Sequence, residues 1–369
     1  MVSISPFSAE TLRPLTRLAL STAASSPVTS PNPQVGCVIV DDAATVLAQG
    51  RHLGAGSPHA ETAALKSAQE AGVDLAGKTA IVTLEPCSRQ GRTPPCADAL
   101  IAAGVARVFF LLADPSGFGG GAAALRAAGI EVFGPDELAS ELGDELVLAA
   151  RLLLPWTTAV QRGRPYLVAK FATTIDGRIA AADGSSRWIT GPEARQHVHE
   201  VRAKVDGILI GTGTVLTDDP TLTVRLTGQT EAEGYQPRRI VLGRREVPPA
   251  AQLRGPGGEL ITLQTHDIPS ALTQLFDLGL RHIVVEGGAI VLAEFFRAGL
   301  VDEIHHYLAP ALLGAGAHVL TDFGVTNISQ ASRWRRQELL DLQPDLLQVL
   351  TPPEAEFASA VPRTWQVEN

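Results

Sequence analysis

Leu84-Glu85-Pro86-Cys87-Ser88-Arg89-Gln90-Gly91-Arg92-Thr93-Pro94-Pro95-Cys96 decides how the first half of this chain is read. It holds two of the three cysteines in the protein. The apolar run Thr79 to Thr83 leads into it and reads as a buried strand. Upstream lies His59-Ala60-Glu61, behind a proline, Pro58, that suits the first turn of a helix running to about Glu70. Together these segments supply one imidazole, two thiols and one carboxylate. His59, Cys87 and Cys96 are expected to hold a catalytic zinc ion with its fourth position open. Two thiolates and a neutral imidazole bring the charge of Zn²⁺ close to zero. A water in the open position falls in pKa from about 15.7 to about 7. In a regular helix Glu61 points about 200° away from His59. It is therefore expected to move protons beside the metal, as the catalytic acid and base, rather than to ligate it.

Working outward, Ala9 to Ala24 carries leucines at helical spacing, and Ser30-Pro31-Asn32-Pro33 breaks the chain. Val35 to Val40 reads as a strand that pairs with Thr45 to Gln49. Cys37 sits inside it as a core thiol. Beyond the cysteine loop the pattern continues with helix Ala97 to Ala103, strand Val105 to Leu112, a helix opening at Gly119 to Gly121, strand Ile130 to Phe133 and a closing helix Asp136 to Leu154. Strands alternating with helices indicate an α/β sandwich.

A chain of 369 residues is too long for one typical core, so two domains are expected. The formal charge of −9, with no basic run, disfavours DNA or tRNA as a partner. A small phosphorylated substrate needs only a few arginines. Three cysteines make no disulfide framework, and a reducing cytoplasm is the expected setting. No apolar run reaches about 18 residues, so no membrane span is expected. Met1 to Glu10 lacks the basic-then-apolar pattern of a secretory signal.

Residues 155–164 read as a linker between a domain at 1–154 and a second at 165–369. The second opens with strand Pro165 to Ala172, followed by helix Pro192 to Ala203 and strand Val205 to Ile210. Strands at Arg239 to Leu242, Leu260 to Leu263, Arg281 to Val285 and Glu303 to Leu308 follow, with helices at Ile268 to Leu278 and Ile290 to Ala298. Strand, Gly287-Gly288, then helix is a common way to turn backbone N–H groups toward a phosphate. No Gly-x-Gly-x-x-Gly follows a strand, so a Rossmann site is not expected. His197 and His199 read as helix surface. His305 and His306 face opposite sides of a strand, one buried and one exposed, and share no metal. The tail, Pro352 to Asn369, is polar and expected to be mobile.

Zinc deaminases usually place two residues between their cysteines; here there are eight. With Pro31-Asn32-Pro33, His59-Ala60-Glu61 and Leu84-Glu85-Pro86-Cys87, that long loop resembles the deaminase half of the bifunctional riboflavin-biosynthesis deaminase/reductase family, over about residues 10 to 150. Thr174-Ile175-Asp176-Gly177-Arg178, Ser186-Arg187-Trp188-Ile189-Thr190-Gly191, Asp218 to Arg225 and Glu286-Gly287-Gly288 resemble the reductase half, over about residues 165 to 350. The resemblance implies a cytidine-deaminase-like α/β/α sandwich followed by a dihydrofolate-reductase-like α/β domain. It implies zinc-dependent loss of a ring amino group from 2,5-diamino-6-ribosylamino-4(3H)-pyrimidinone 5′-phosphate. NADPH then transfers a hydride to C1′ of the ring-opened ribosyl group, leaving a ribityl chain.

By the matching positions, Asn32 and His52 contact the deaminase substrate. Arg89 stands where the family usually has His, and with Arg92 it suits a phosphate. Ser186, Arg202, Leu222, Arg225 and Glu286 face the reductase substrate, with Arg202 and Arg225 as clamps on its 5′-phosphate. Ala172, Trp188, Thr214, Asp218, Gly288, Ala289 and Ile290 face the cofactor. After the strand at Ile240 the family has an Asp-Ser pair and a longer loop. This chain has Gly243-Arg244-Arg245, and Arg244 or Arg245 is read as the partner of the NADPH 2′-phosphate. A dimer or tetramer is implied. The rival readings are a nucleobase or nucleoside deaminase whose C-terminal half binds ligand without reducing it, and a non-enzymatic regulator. Asp218, Arg225 and Glu286 argue against the first, and Glu61 against the second.

Overall fold

The computed structural model describes residues 7–27, 31–54, 56–90, 94–229 and 233–353. Arg92 and the tail from residue 354 lie outside these. The chain divides into two compact units, the division falling between Arg162 and Gly163.

The first unit contains α1 (Ala9–Ala24), β1 (Gly36–Val40), β2 (Val46–Arg51), α2 (Ala60–Glu70), β3 (Thr79–Val82), α3 (Cys96–Ala102), β4 (Arg107–Phe110), α4 (Gly121–Ala127), β5 (Glu131–Phe133), α5 (Pro135–Leu138) and α6 (Gly143–Arg162). Its sheet runs β2-β1-β3-β4-β5. β1 is antiparallel to both its neighbours, and β3, β4 and β5 are parallel. The strands are apolar on both faces because both are covered. Cys37, Ile39, Val82, Val108 and Phe110 pack against α2, α3 and α4. Val38, Val40, Ile81 and Phe109 pack against α1, α5 and α6. The helices lie very close: a Cβ on Gly50 would sit 2.1 Å from the Ala60 carbonyl oxygen of α2. That approach sets the start of α2, and hence His59, against the sheet.

Two sequence expectations change here. The single closing helix is two, α5 and α6. Residues 155–164, expected as a linker, are helical through Arg162. Burial of Leu153 and partial burial of Trp156 against the core offset the roughly 3 kcal/mol that an interior proline such as Pro155 costs.

The second unit contains β6 (Tyr166–Thr174), α7 (Pro192–Arg202), β7 (Gly207–Gly211), α8 (Thr212–Asp218), β8 (Arg238–Leu242), β9 (Leu260–Leu263), α9 (Ile268–Asp277), β10 (His282–Val285), α10 (Ala289–Arg297), β11 (Glu303–Ala309), β12 (Arg335–Leu342) and β13 (Asp345–Thr351). The sheet order is β12-β13-β11-β6-β10-β7-β8-β9. β6 to β11 are mutually parallel where they pair, and β12 and β13 add an antiparallel hairpin. That hairpin has no counterpart in the sequence reading, because β12 is a charged, largely exposed edge strand without clean alternation. One face packs Leu167, Ala169, Leu209, Ile283 and Val285 under α9 and α10. The other carries Tyr307 and Leu347 under Ala194 of α7.

The histidines also differ from expectation. His197 is half-buried and bonds the Tyr307 hydroxyl at 2.8 Å. His199 is half-buried and accepts the Arg225 backbone N–H at 3.2 Å. His305 and His306 are both half-buried, bonded to Glu303 and Thr173 respectively. Packing of α7 across the sheet covers what periodicity alone assigned to solvent.

Candidate active sites

In the first unit two helix starts converge. His59 is the N-cap of α2 and Cys96 opens α3, while Cys87 follows β3 in the intervening loop. Helix N-termini favour negative charge, so the start of α3 favours thiolate at Cys87, whose sulfur meets it. The ligand atoms of His59, Cys87 and Cys96 lie within 4.8 Å of one another. His59 Nδ1 is 3.4 Å from Cys96 Sγ and 3.7 Å from Cys87 Sγ. Nitrogen and sulfur donors sharing one tetrahedral zinc stand about 3.5 Å apart, from the usual bond lengths. Soft thiolates with an imidazole are also the donor chemistry zinc prefers. The residues fit the ion. The Cys96 backbone N–H donates to Cys87 Sγ at 3.3 Å. A hydrogen bond from Cys96 is the first cause of a lowered Cys87 pKa, and the same contact raises Cys96.

Glu61, in the first turn of α2, is 4% exposed. Burial pushes its carboxyl up, toward the range where a group can accept and return a proton. Cys37 is fully buried and its thiol is pushed up by that burial, as a core residue should be.

His59, Glu61 and Cys87 border a cavity of about 310 Å³, lined also by Asn32, His52, Arg89, Asp114, Phe118 and Trp156. His52 Nδ1 lies 3.0 Å from the Pro58 carbonyl, so that nitrogen donates and Nε2 accepts from Asn32 Nδ2 at 2.8 Å. Both ring nitrogens are thereby engaged. His52 orients Asn32, and the Asn32 carbonyl oxygen is the group left for a ligand. Asp114, Phe118 and Trp156 were missed by the sequence reading. Asp114 was within reach of it: β3 and β4 are parallel neighbours, so the loops after their C-terminal ends meet. Glu85 ties them, accepting the Gly120 and Ala122 N–H groups at 3.1 Å. Trp156 Nε1 donates to the Pro31 carbonyl at 3.0 Å, fixing the loop that carries Asn32.

The second unit has a cavity of about 180 Å³ at the C-terminal ends of β6 and β10, the usual ligand edge of a parallel sheet. Ala172, Thr214, Asp218, Glu286 and Gly288 line it, together with Lys170, which was not foreseen. The available signal was one charge inside the otherwise apolar run Pro165 to Ala172. Ala289 and Ile290 follow Gly288 at the start of α10, Ile290 at 69% exposure.

Arg202 is held by three hydrogen bonds. Its Nε and Nη2 donate to the two Glu286 oxygens at 2.7 and 2.8 Å, and Nη1 donates to the Thr223 carbonyl at 3.0 Å. Arg202 and Glu286 thus form a bidentate ion pair. Lys170 Nζ adds a contact to Glu286 at 3.4 Å. Burial alone would raise the Glu286 carboxyl, but Arg202 and Lys170 hold it well below the usual carboxylate range. Leu222 is buried, with φ of 50°, so it offers backbone rather than side chain. Arg225 Nη1 donates to Thr223 Oγ1 at 2.7 Å. Ser186 is exposed, and Trp188 is 71% exposed with Arg195 stacked on it. Arg244 and Arg245 are both exposed, and Arg245 lies against Gly213 at the start of α8.

Two family models match the chain: the cytidine and deoxycytidylate deaminase zinc-binding region over residues 9–112, and the RibD C-terminal domain over 165–347. The riboflavin biosynthesis protein RibD of Corynebacterium ammoniagenes is 44% identical over 321 residues, covering 85% of this chain and 92% of its own. RibD of Escherichia coli is 38% identical over 352 residues, covering 86% and 93%. Among solved structures, a diaminohydroxyphosphoribosylaminopyrimidine deaminase/5-amino-6-(5-phosphoribosylamino)uracil reductase from Thermotoga maritima superposes with a TM-score of 0.82 at 31% identity, covering 93% of this chain and 99% of that one.

Proposed function

The chain belongs to the RibD family of riboflavin-biosynthesis proteins, and from that premise we propose which of its residues carry each reaction. It is a bifunctional deaminase and reductase with a zinc-binding first unit. The first substrate in this reading is 2,5-diamino-6-ribosylamino-4(3H)-pyrimidinone 5′-phosphate, which loses a ring amino group to water. The observation that supports it is buried Glu61 lining one cavity with His59 and Cys87, the donor cluster being completed by Cys96.

Zinc bound by His59, Cys87 and Cys96 supplies the Lewis acidity that makes water a nucleophile at neutral pH. Glu61 holds the proton removed from water and returns it to the departing amine. Asn32, steadied by His52, reads the polar edge of the ring; Trp156 and Phe118 supply apolar wall; Arg89 meets the phosphate. In the second unit NADPH supplies the hydride. Lys170, held by Glu286, is a proton donor on the cavity wall, and Arg225 meets the 5′-phosphate. Ser186 and the Leu222 backbone complete the substrate contacts; Ala172, Trp188, Thr214, Asp218 and Gly288-Ala289-Ile290 face the cofactor. Self-association into a dimer or tetramer is supported by the exposed edge strand β12, where Leu339 is 49% exposed. A reducing cytoplasm suits three free thiols. Among the described residues no helix is long and apolar enough to cross a membrane.

The test is to incubate zinc-loaded protein with the diaminopyrimidinone ribosyl phosphate, with and without NADPH, following ammonia and NADPH separately. Ammonia is expected in both arms and NADPH oxidation only after it. Asp218→Asn is expected to slow the second signal and spare the first. Loss of both together would mean one coupled site and end the two-site reading.

Arg245 lies against Gly213 at the start of α8, and with its neighbour Arg244 it forms the basic pair proposed to read the cofactor 2′-phosphate. The double variant Arg244→Ala/Arg245→Ala is expected to cut the preference for NADPH over NADH by roughly tenfold or more. Steady-state KM values for both cofactors check it, and an unchanged preference removes both residues from the role.

A further inference from the structure

Residues 221–226 run between α8 and β8 without joining the sheet. Side chains hold their backbone instead. Gln236 Oε1 accepts the Val224 N–H at 2.8 Å, and its Nε2 donates to the Val224 carbonyl at 3.1 Å. Arg202 Nη1 donates to the Thr223 carbonyl at 3.0 Å. His199 Nδ1 accepts the Arg225 N–H at 3.2 Å. His199 and Arg202 stand three residues apart on α7, so one helix face grips this strap twice. Buried Leu222 and Val224 anchor it from below.

His199 can accept that N–H only through an unprotonated Nδ1. Burial first, then the Arg202 and Arg225 guanidiniums, push its pKa down to about 4, against the opposing pull of Glu286. The imidazole is therefore neutral, and the acceptor intact, at any ordinary assay pH. Arg225 is the arginine that this strap carries, its Nη1 bonded to Thr223 Oγ1 at 2.7 Å.

We propose that His199 is a positioning residue of the reductase: it fixes the backbone at Arg225 and so aims the Arg225 guanidinium at the substrate 5′-phosphate. The proposal rests on the reading of Arg225 as the phosphate contact. It differs from a packing role in being specific to that phosphate.

The full-length protein with His199→Ala, His199→Asn or Arg225→Ala is assayed for NADPH oxidation. The two substrates are 5-amino-6-(5-phosphoribosylamino)uracil and the same compound without its phosphate. His199→Ala is expected to raise KM for the phosphorylated substrate roughly tenfold, with kcat within about twofold. His199→Asn, whose Oδ1 can stand where Nδ1 stands, is expected to restore it. On the dephosphorylated substrate wild type and His199→Ala should coincide. An equal KM rise on both substrates, or no rescue by asparagine, makes His199 a packing residue and overturns the proposal. If Arg225→Ala abolishes the advantage of the phosphate while His199→Ala leaves it, the proposal fails and the Arg225 reading stands. If Arg225→Ala leaves that advantage intact, the Arg225 reading fails and takes the proposal with it.

Discussion

Glu61→Ala is expected to reduce ammonia release by roughly 10²–10⁴-fold, the range that general acid–base catalysis supplies. Zinc content and NADPH oxidation on separately supplied deaminated substrate should be unchanged. The metal donors are two sulfurs and one ring nitrogen already within 4.8 Å of each other, and none of them is Glu61. Glu61 is 4% exposed, so its carboxylate is not a surface group whose loss the solvent would replace. Burial raises its pKa, the direction that suits a carboxyl to accept and return a proton. Removing a buried, destabilised carboxylate should not cost the fold much. Glu61→Gln, nearly the same shape, controls for the cavity that alanine leaves. Zinc analysis beside an ammonia assay decides it. If zinc is lost in step with activity, Glu61 is a ligand and the division of roles collapses.

The deaminase site was legible because its chemistry is carried by rare residue types in short words. Two cysteines and a His-x-Glu at helix starts have few other uses in a chain with so little cysteine. The strands around them were legible too, since both faces of that sheet are buried and the apolar runs are unbroken. What stayed hidden are the contributions that come from pairing. Asp114 reaches the cavity because β4 lies parallel to β3. Trp156 reaches it because α6 continues through Pro155, against the local preference of proline. Nor does spacing reveal that both His52 nitrogens are taken, which depends on the Pro58 carbonyl and on Asn32 arriving from a distant loop.

The reductase site was less legible because its residues are common types whose meaning depends on their neighbours. An arginine on a helix has no fixed role until its partner is known. Arg202 found Glu286, 84 residues away, just past the end of β10. Lys170 acquired significance from the same carboxylate. His197 and His199 were assigned to solvent for want of the sheet face that α7 covers. Strand hairpin β12–β13 escaped because an edge strand need not alternate.

That ion-pair cluster makes the second large prediction. Arg202→Met should destabilise the second unit by about 3–5 kcal/mol, since it leaves the Glu286 charge buried with one partner fewer. The side chains of Arg202 and Glu286 are only 14% and 9% exposed, so water cannot take over the lost contact. Lys170, at 3.4 Å, offers less than a bidentate guanidinium does and moderates the loss without cancelling it. NADPH oxidation should fall with stability, because the strap carrying Thr223 loses its bond to Arg202 as well. Ammonia release, housed in the first unit, should persist at temperatures below the transition. The double variant Arg202→Met/Glu286→Gln should be less destabilised than Arg202→Met alone, because it removes the orphaned charge along with its partner. Denaturant titration of the four members of this cycle, followed by both activities, measures the coupling. An Arg202→Met protein with an unshifted transition but no reduction would mean that Arg202 serves the substrate directly. The phosphate clamp inferred from its motif position would then be the better account of it.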